Sequence, residues 1–151
     1  MGLISQLLTA KRIALDSMVF IYLLEQNEKF FSGVKTIFEL LEAEKIEAVT
    51  SIISPLEVLS PPKLTTLPDQ TIMYRRFFQE EKNLSVRELD WEVMDAAAQI
   101  RRESGLRTPD AIQLATAKLE NTKLFITNDK IYNKVKTGEA LPKIILLSEF
   151  S

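Results

Sequence analysis

The residues able to do chemistry are four acids, each placed where a strand pattern ends or a helix pattern begins: Asp16 in IALDS, Glu57 in SPLEV, Asp110 in TPDAI and Asp129 in ITNDK. Carboxylates gathered at one edge repel, since two unit charges about 4 Å apart cost roughly 4 kcal/mol at an effective dielectric near 20. Such a cluster persists when protons are taken up or cations neutralise it, and hard divalent cations are the simplest partners for oxygen ligands. Cysteine and histidine are both absent. Disulfides, thiolate nucleophiles, Cys/His zinc sites and any Ser-His-Asp arrangement are therefore excluded, and the chemistry open to this chain is carboxylate chemistry.

The elements that must position these acids follow from the apolar pattern. Residues 12–16 (RIALD) fit a short buried strand, while SMVFIYLLE suits either its continuation or a helix opened by Ser17. From Gly33, the residues Val34, Ile37, Phe38 and Leu41 recur at helical spacing, and IEAVTS then alternates like a strand. Ser54 and Pro55 open a short helix carrying Glu57, which Pro61 and Pro62 must end. Asp69 to Glu81 is predicted as a helix with a mixed face, LSVREL as a strand, and Asp90 as the cap of a helix running through Val93, Met94, Ala97 and Ile100 to a stop at Gly105. Thr108 and Pro109 launch the alanine-rich helix AIQLATAKLE. TKLFIT is a buried strand, DKIYNKV a short helix and KIILL a last strand. Strands alternating with helices predict the α/β class, with one domain over residues 1–151 built on a parallel sheet flanked by helices on both faces. In such sheets the ligand crevice lies outside the carboxyl ends of the strands, which would bring Asp16 and Asp129 together.

Composition sets the outer bounds. A chain of 151 residues with 46% hydrophobic and 26% charged residues can bury its own core as a globular protein. Its net charge of -2 does not match a general nucleic-acid binder, so any phosphate contacts must be local, with Arg75, Arg76, Arg101, Arg102 and Arg107 as candidates. The longest apolar run, Met18 to Leu24, falls short of a membrane span, and the start MGLISQLLTAKR, a short lead before the first strand, has its positive charges on the wrong side for a secretory signal. The expected location is the cytoplasm. Phe20, Tyr22, Phe38, Trp91 and Phe125 are expected in the core, whereas Tyr74, Phe77 and Phe78 could face a partner. Glu25, Glu42, Glu47, Glu80, Glu81, Glu92, Asp95 and Glu103 are expected as solvated surface.

Each acid of interest also has a structural reading. Ser54-x-x-Glu57 matches a capping box, Asp110 lies in a first helical turn where the dipole favours an anion, and Asp16 and Asp129 could be N-caps. Capping and metal binding are compatible, because a helix start can hold a carboxylate that also ligates a cation.

The order of these residues resembles the PIN domain, the nuclease family that includes the VapC-like toxins of toxin-antitoxin pairs. Asp16 with Ser17 is similar to the family's first acid and its hydroxyl neighbour, and Glu57 to the glutamate on a short helix after the second strand. The stretch PDAIQLATAKLENTKLFITND looks like the third aspartate, Asp110, on its alanine-rich helix, followed by the Thr-x-Asp element of Thr127 and Asp129. The resemblance implies a ribonuclease using Mg²⁺ or Mn²⁺, with Asp16, Asp110 and Asp129 as ligands and Glu57 as a ligand or a base that orients water. Ser17 and Thr127 would support the carboxylates by hydrogen bonds. It also implies an RNA substrate, a symmetric homodimer, for which Tyr74 and Phe77 offer apolar surface, and an antitoxin partner. Two other readings compete: a non-catalytic PIN-like module that binds RNA or protein, and a phosphotransfer domain. The latter calls for a second acid near Asp16, and position 18 is Met.

Overall fold

An apolar run with no polar face is stable as a strand only where both faces are covered. Ile13, Ala14 and Leu15 make β1 (Arg12–Leu15) such a strand, and β4 (Leu124–Thr127) is likewise buried throughout. In the computed structural model, which describes residues 2–136, 138 and 140–150, both lie inside one five-stranded parallel sheet of order β3-β2-β1-β4-β5. The remaining strands are β2 (Glu47–Ser51), β3 (Leu84–Arg87) and β5 (Lys143–Leu146). Register pairs Leu15 with Ile126 across β1 and β4, and Thr50 with Val86 across β2 and β3.

The alternation of side chains along each strand divides the core in two. Ile13, Leu15, Ala48, Leu124, Ile126 and Ile145 face helices α1 (Leu3–Ala10), α2 (Ser17–Leu24), α3 (Phe31–Glu42) and α5 (Pro68–Glu80). Ala14, Val49 and Phe125 face α6 (Trp91–Ser104) and α7 (Thr108–Leu119). The result is the expected three-layer α/β sandwich. The short α4 (Ile53–Val58) follows β2, and a 3-10 turn, Lys130–Lys134, follows β4. Among the described residues no helix is long and apolar enough to cross a membrane.

Chain order places the site. From β1 the chain moves outward through β2 and β3, then returns to lay β4 on the other side of β1, so the direction of winding reverses between β1 and β4. That switch point opens a crevice at the carboxyl ends of these two strands.

Of the two forms open to SMVFIYLLE, the helix opened by Ser17 is the one adopted, because Asp16 turns the chain at the end of β1. Other expectations need correction. The lead before the first strand contains α1, whose Leu7 is fully buried and whose end is set by the positive φ of Lys11. Trp91 is not core: it is 80% exposed at the first turn of α6. Tyr22 is half-buried, stacked on Phe30. Tyr74 and Phe78 are buried, and Phe77 packs edge-on against Phe38, so the apolar surface of α5 is instead Ile72 and Met73.

Candidate active site

Asp16 leaves the end of β1 as the residue before α2. An N-cap side chain ordinarily accepts from the second or third helical amide, whereas the Oδ1 of Asp16 accepts from the first, Ser17 N, at 2.8 Å. Its Oδ2 accepts from the Thr127 hydroxyl at 2.6 Å, across from the neighbouring strand β4. The carboxyl group is therefore drawn toward the sheet and is 7% exposed. Burial above all raises its pKa from 3.8 to about 6; the bonds from Thr127 and Ser17 oppose this, and the negative charges of Glu57 and Asp110 add to it.

Asp110 sits in the first turn of α7, which Pro109 starts in the usual way for a residue without an amide proton. It is 8% exposed, and both its oxygens face Arg107: Nε donates to Oδ2 at 2.9 Å and Nη2 to Oδ1 at 3.4 Å. The same Nη2 lies 3.9 Å from Oδ2 of Asp129. Asp129 caps the 3-10 turn after β4, its Oδ1 accepting from Ile131 N at 2.9 Å, while its own amide donates to the Thr127 hydroxyl at 3.1 Å. Thr127 thus stands between Asp16 and Asp129, and Arg107 between Asp129 and Asp110.

Glu57 lies on α4, exposed, with no side-chain hydrogen bond or ion pair among the described residues. The capping box predicted for it does not form: α4 starts at Ile53, before Ser54, and the Ile53 amide donates to the Ser51 hydroxyl instead. Ser54 is wholly buried, bonded to Thr50 at 2.6 Å and accepting from Gln113 Nε2 at 2.9 Å. The same Nε2 donates to Ser17 at 2.9 Å, and the Thr50 hydroxyl donates to the Leu15 carbonyl at 2.7 Å. Gln113 Oε1 is buried without a partner. This chain of polar side chains ties α7, α2, α4 and β1 together directly beneath the acids.

Sequence reasoning did not single out Gln113, Thr50 or Tyr132. Tyr132 is buried, with its hydroxyl donating to the Asp110 carbonyl at 3.5 Å. Burial raises its pKa first, and Asp16, Asp110, Asp129 and Glu57 each add to the rise, so one phenol feels the charge of all four acids. A polar residue at helical spacing after Asp110 was the available signal for Gln113; Tyr132 gives none, because its apolar body fits the core reading equally well.

As placed, no three acids among the described residues are grouped closely enough to hold one ion. The donor set still suits a hard divalent cation, being all carboxylate and hydroxyl oxygen, and a carboxylate offers more acceptor sites than the two hydrogen bonds counted on Asp16. The change required is local, since Asp110 is turned toward Arg107 rather than toward Asp16.

The fold and the crevice define a parallel α/β protein with carboxylates at its switch point. The family model of the PIN domain matches residues 13–138, and the chain belongs to that family. Among solved structures, a chain of a toxin-antitoxin complex from Klebsiella pneumoniae is similar in fold, with TM-score 0.61 and 21% identity over 89% of this chain and 97% of that one. A chain of VapBC2 from Rickettsia felis, bound to a DNA fragment from their promoter, gives TM-score 0.64 and 11% identity over 89% and 98%. No curated protein matches the sequence.

Proposed function

We propose that this chain is a divalent-metal-dependent endoribonuclease, the toxin of a toxin-antitoxin pair, acting in the cytoplasm on single-stranded or structured RNA. The observation that carries the reading is the placement of Asp16 and Asp129 on either side of the Thr127 hydroxyl, with Asp110 joined to Asp129 through Arg107, at the switch point of a PIN-family sheet. Asp16, Asp110 and Asp129 are the proposed ligands of one or two Mg²⁺ or Mn²⁺ ions. When bound, such an ion lowers the pKa of the attacking water and offsets charge on the scissile phosphate.

The protein's own groups set the terms for that chemistry. Thr127 and the Ser17 amide fix the rotamer of Asp16, which therefore needs no reordering to act as a ligand. Because burial holds the Asp16 pKa near 6, cation binding and proton release are linked there, and affinity rises with pH. Glu57, exposed and unpaired among the described residues, is free to turn inward as a further ligand or as the base that orients water. Ile72 and Met73 on α5, both more than half exposed, are the apolar surface on which a homodimer would form. An antitoxin segment bearing Arg or Lys would find in the acids the same pairing that Arg107 makes.

The competing reading is a non-catalytic module, favoured by the fact that both oxygens of Asp16 and of Asp110 already have protein partners. Cleavage of a single-stranded RNA, assayed with Mg²⁺ or Mn²⁺ and again in EDTA, separates the two. Metal-dependent cleavage is expected. Cleavage that ignores EDTA, or no cleavage of any RNA offered, would leave the module as the better account.

A further inference from the structure

Among the described residues, Arg107 is the one cation paired with any of the four acids. Its position is otherwise hard to explain. It is the residue before α7, at the positive end of the helix dipole, where a cation is disfavoured, and its side chain caps nothing. The three contacts to Asp110 and Asp129 account for its conformation. They also put a planar fork of donors on two proposed metal ligands.

We propose that Arg107 is a built-in, displaceable counter-ion: it neutralises Asp110 and Asp129 while the site holds no metal, and on metal binding it is released to grip a phosphate of the RNA. This rests on the metal-nuclease reading and adds to it a substrate-binding residue. The burial pattern supports displacement. Arg107 is 69% exposed whereas the Asp110 side chain is 11% exposed, so the carboxylate is fixed in the wall and the guanidinium lies over it from the solvent side. With its guanidinium in solvent the pair is screened, and a divalent ion with several oxygen ligands outcompetes it. The released guanidinium stays at the crevice mouth, because only Thr108 and Pro109 separate Arg107 from Asp110 at a helix start. There its fork matches phosphate oxygens as well as it matched a carboxylate. The chain's net charge of -2 leaves little general attraction for RNA, so a cation delivered at the site matters more than it would in a basic protein.

The first test uses the unmodified protein. With ¹⁵N-labelled arginine, the Arg107 Nε–H signal is followed by NMR during a Mg²⁺ titration, with metal binding checked independently by thermal shift. Release predicts a changed chemical shift and faster exchange with water at saturation. A signal that stays unchanged once metal is bound overturns the proposal. The second test compares wild type with Arg107→Gln. The variant should bind Mn²⁺ about threefold to fivefold more tightly by electron paramagnetic resonance, the value of one solvent-screened pair removed. With Mg²⁺ present it should bind a non-cleavable 2′-O-methyl RNA more weakly, the slope of log affinity against log salt falling by about 0.7, one phosphate contact on a single strand. Unchanged or weaker Mn²⁺ binding overturns the counter-ion role, and an unchanged salt slope overturns the phosphate role. If wild type binds no Mn²⁺ at all, the failure lies with the metal-nuclease reading itself.

Discussion

Arg87 and Arg107 each hold more than one acid, and they do so in opposite ways. Arg87, at the end of β3, reaches Asp90 at 3.1 Å, Glu92 at 2.8 Å and Glu120 at 3.8 Å. There the cation is the inner partner, 21% exposed, and Asp90 and Glu92, at 52% and 65%, lie over it. Around Arg107 the order is inverted, with Asp110 at 11% inside and the guanidinium at 69% outside. A sheltered cation covered by two exposed carboxylates joins β3 to the start of α6, with the sheltered Glu120 beside it at the end of α7, and the two outer acids can rearrange in water at little cost. A sheltered carboxylate covered by an exposed cation, as Asp110 is by Arg107, keeps its position whether or not the cation stays. The second arrangement is the one a binding site requires.

The largest effect that would separate these regions is on catalysis. Asp16→Asn should reduce RNA cleavage by about 100-fold or more, because a neutral amide is a poor ligand for a hard cation. In EDTA near neutral pH the same variant should be more stable than wild type by about 1–2 kcal/mol, a few degrees in Tm, since a carboxylate that burial disfavours is gone while one hydrogen-bond acceptor is lost. Paired cleavage and thermal-melt measurements check both. A variant that cleaves normally would place the acid crevice in the same structural class as the Arg87 cluster.

Next in size is the pH response of the metal-free fold. Asp16 has a pKa of about 6 when folded against 3.8 as the ordinary value, so between these limits the folded state binds more protons than the unfolded one. Stability therefore falls as pH rises through this window, by up to about 3 kcal/mol, and the contribution is absent below it. Urea unfolding in EDTA across the window, with Asp16→Asn as the control whose slope is flatter, measures it. An Asp16 contribution that rises with pH would contradict the burial argument.

The Arg87 side of the comparison predicts a smaller effect of another kind. Arg87→Gln should cost about 1 kcal/mol of stability and leave Mn²⁺ binding and RNA cleavage as they are. A loss of metal affinity in that variant would remove the distinction between the clusters. Smallest of all, Trp91→Ser at the edge of the Arg87 cluster should change monomer stability by less than about 0.5 kcal/mol, because an indole 80% exposed has little burial to lose. A larger loss, growing with protein concentration, would mark it as part of a subunit interface.

The layout was legible where local pattern and sheet topology agree. Strands with no polar face, interleaved with helices, gave the parallel sandwich, and chain order then brought Asp16, Thr127 and Asp129 to one place. Asp90 and Gly105 bound α6 as their chemistry requires, Asp90 accepting from Val93 N and Gly105 adopting a φ of 74°. Local pattern misled at Ser54: its spacing to Glu57 fits a cap, yet burial recruits its hydroxyl into contacts with Thr50 on β2 and with Gln113 on α7, the latter outside any local window. Trp91 failed for the converse reason, as hydrophobicity alone cannot report that a first-turn position points away from the sheet. The pairing of Arg107 with Asp110 lies within one turn, but its reach to Asp129 depends on how α7 meets the end of β4.

The buried polar chain under the site has a fixed direction. Thr50 spends its only hydroxyl proton on the Leu15 carbonyl, so in its bond with Ser54 it can only accept and Ser54 must give. Ser54 then has no proton left for Gln113 and can face only the amide's NH₂ end, which settles the orientation of that amide from three links away and leaves its oxygen stranded. Ser17 accepts from the same NH₂ and is the one hydroxyl in the series whose proton is not committed among the described residues. A backbone carbonyl at the end of β1 thus sets the polarity of the whole relay, and the free proton emerges on the residue next to Asp16.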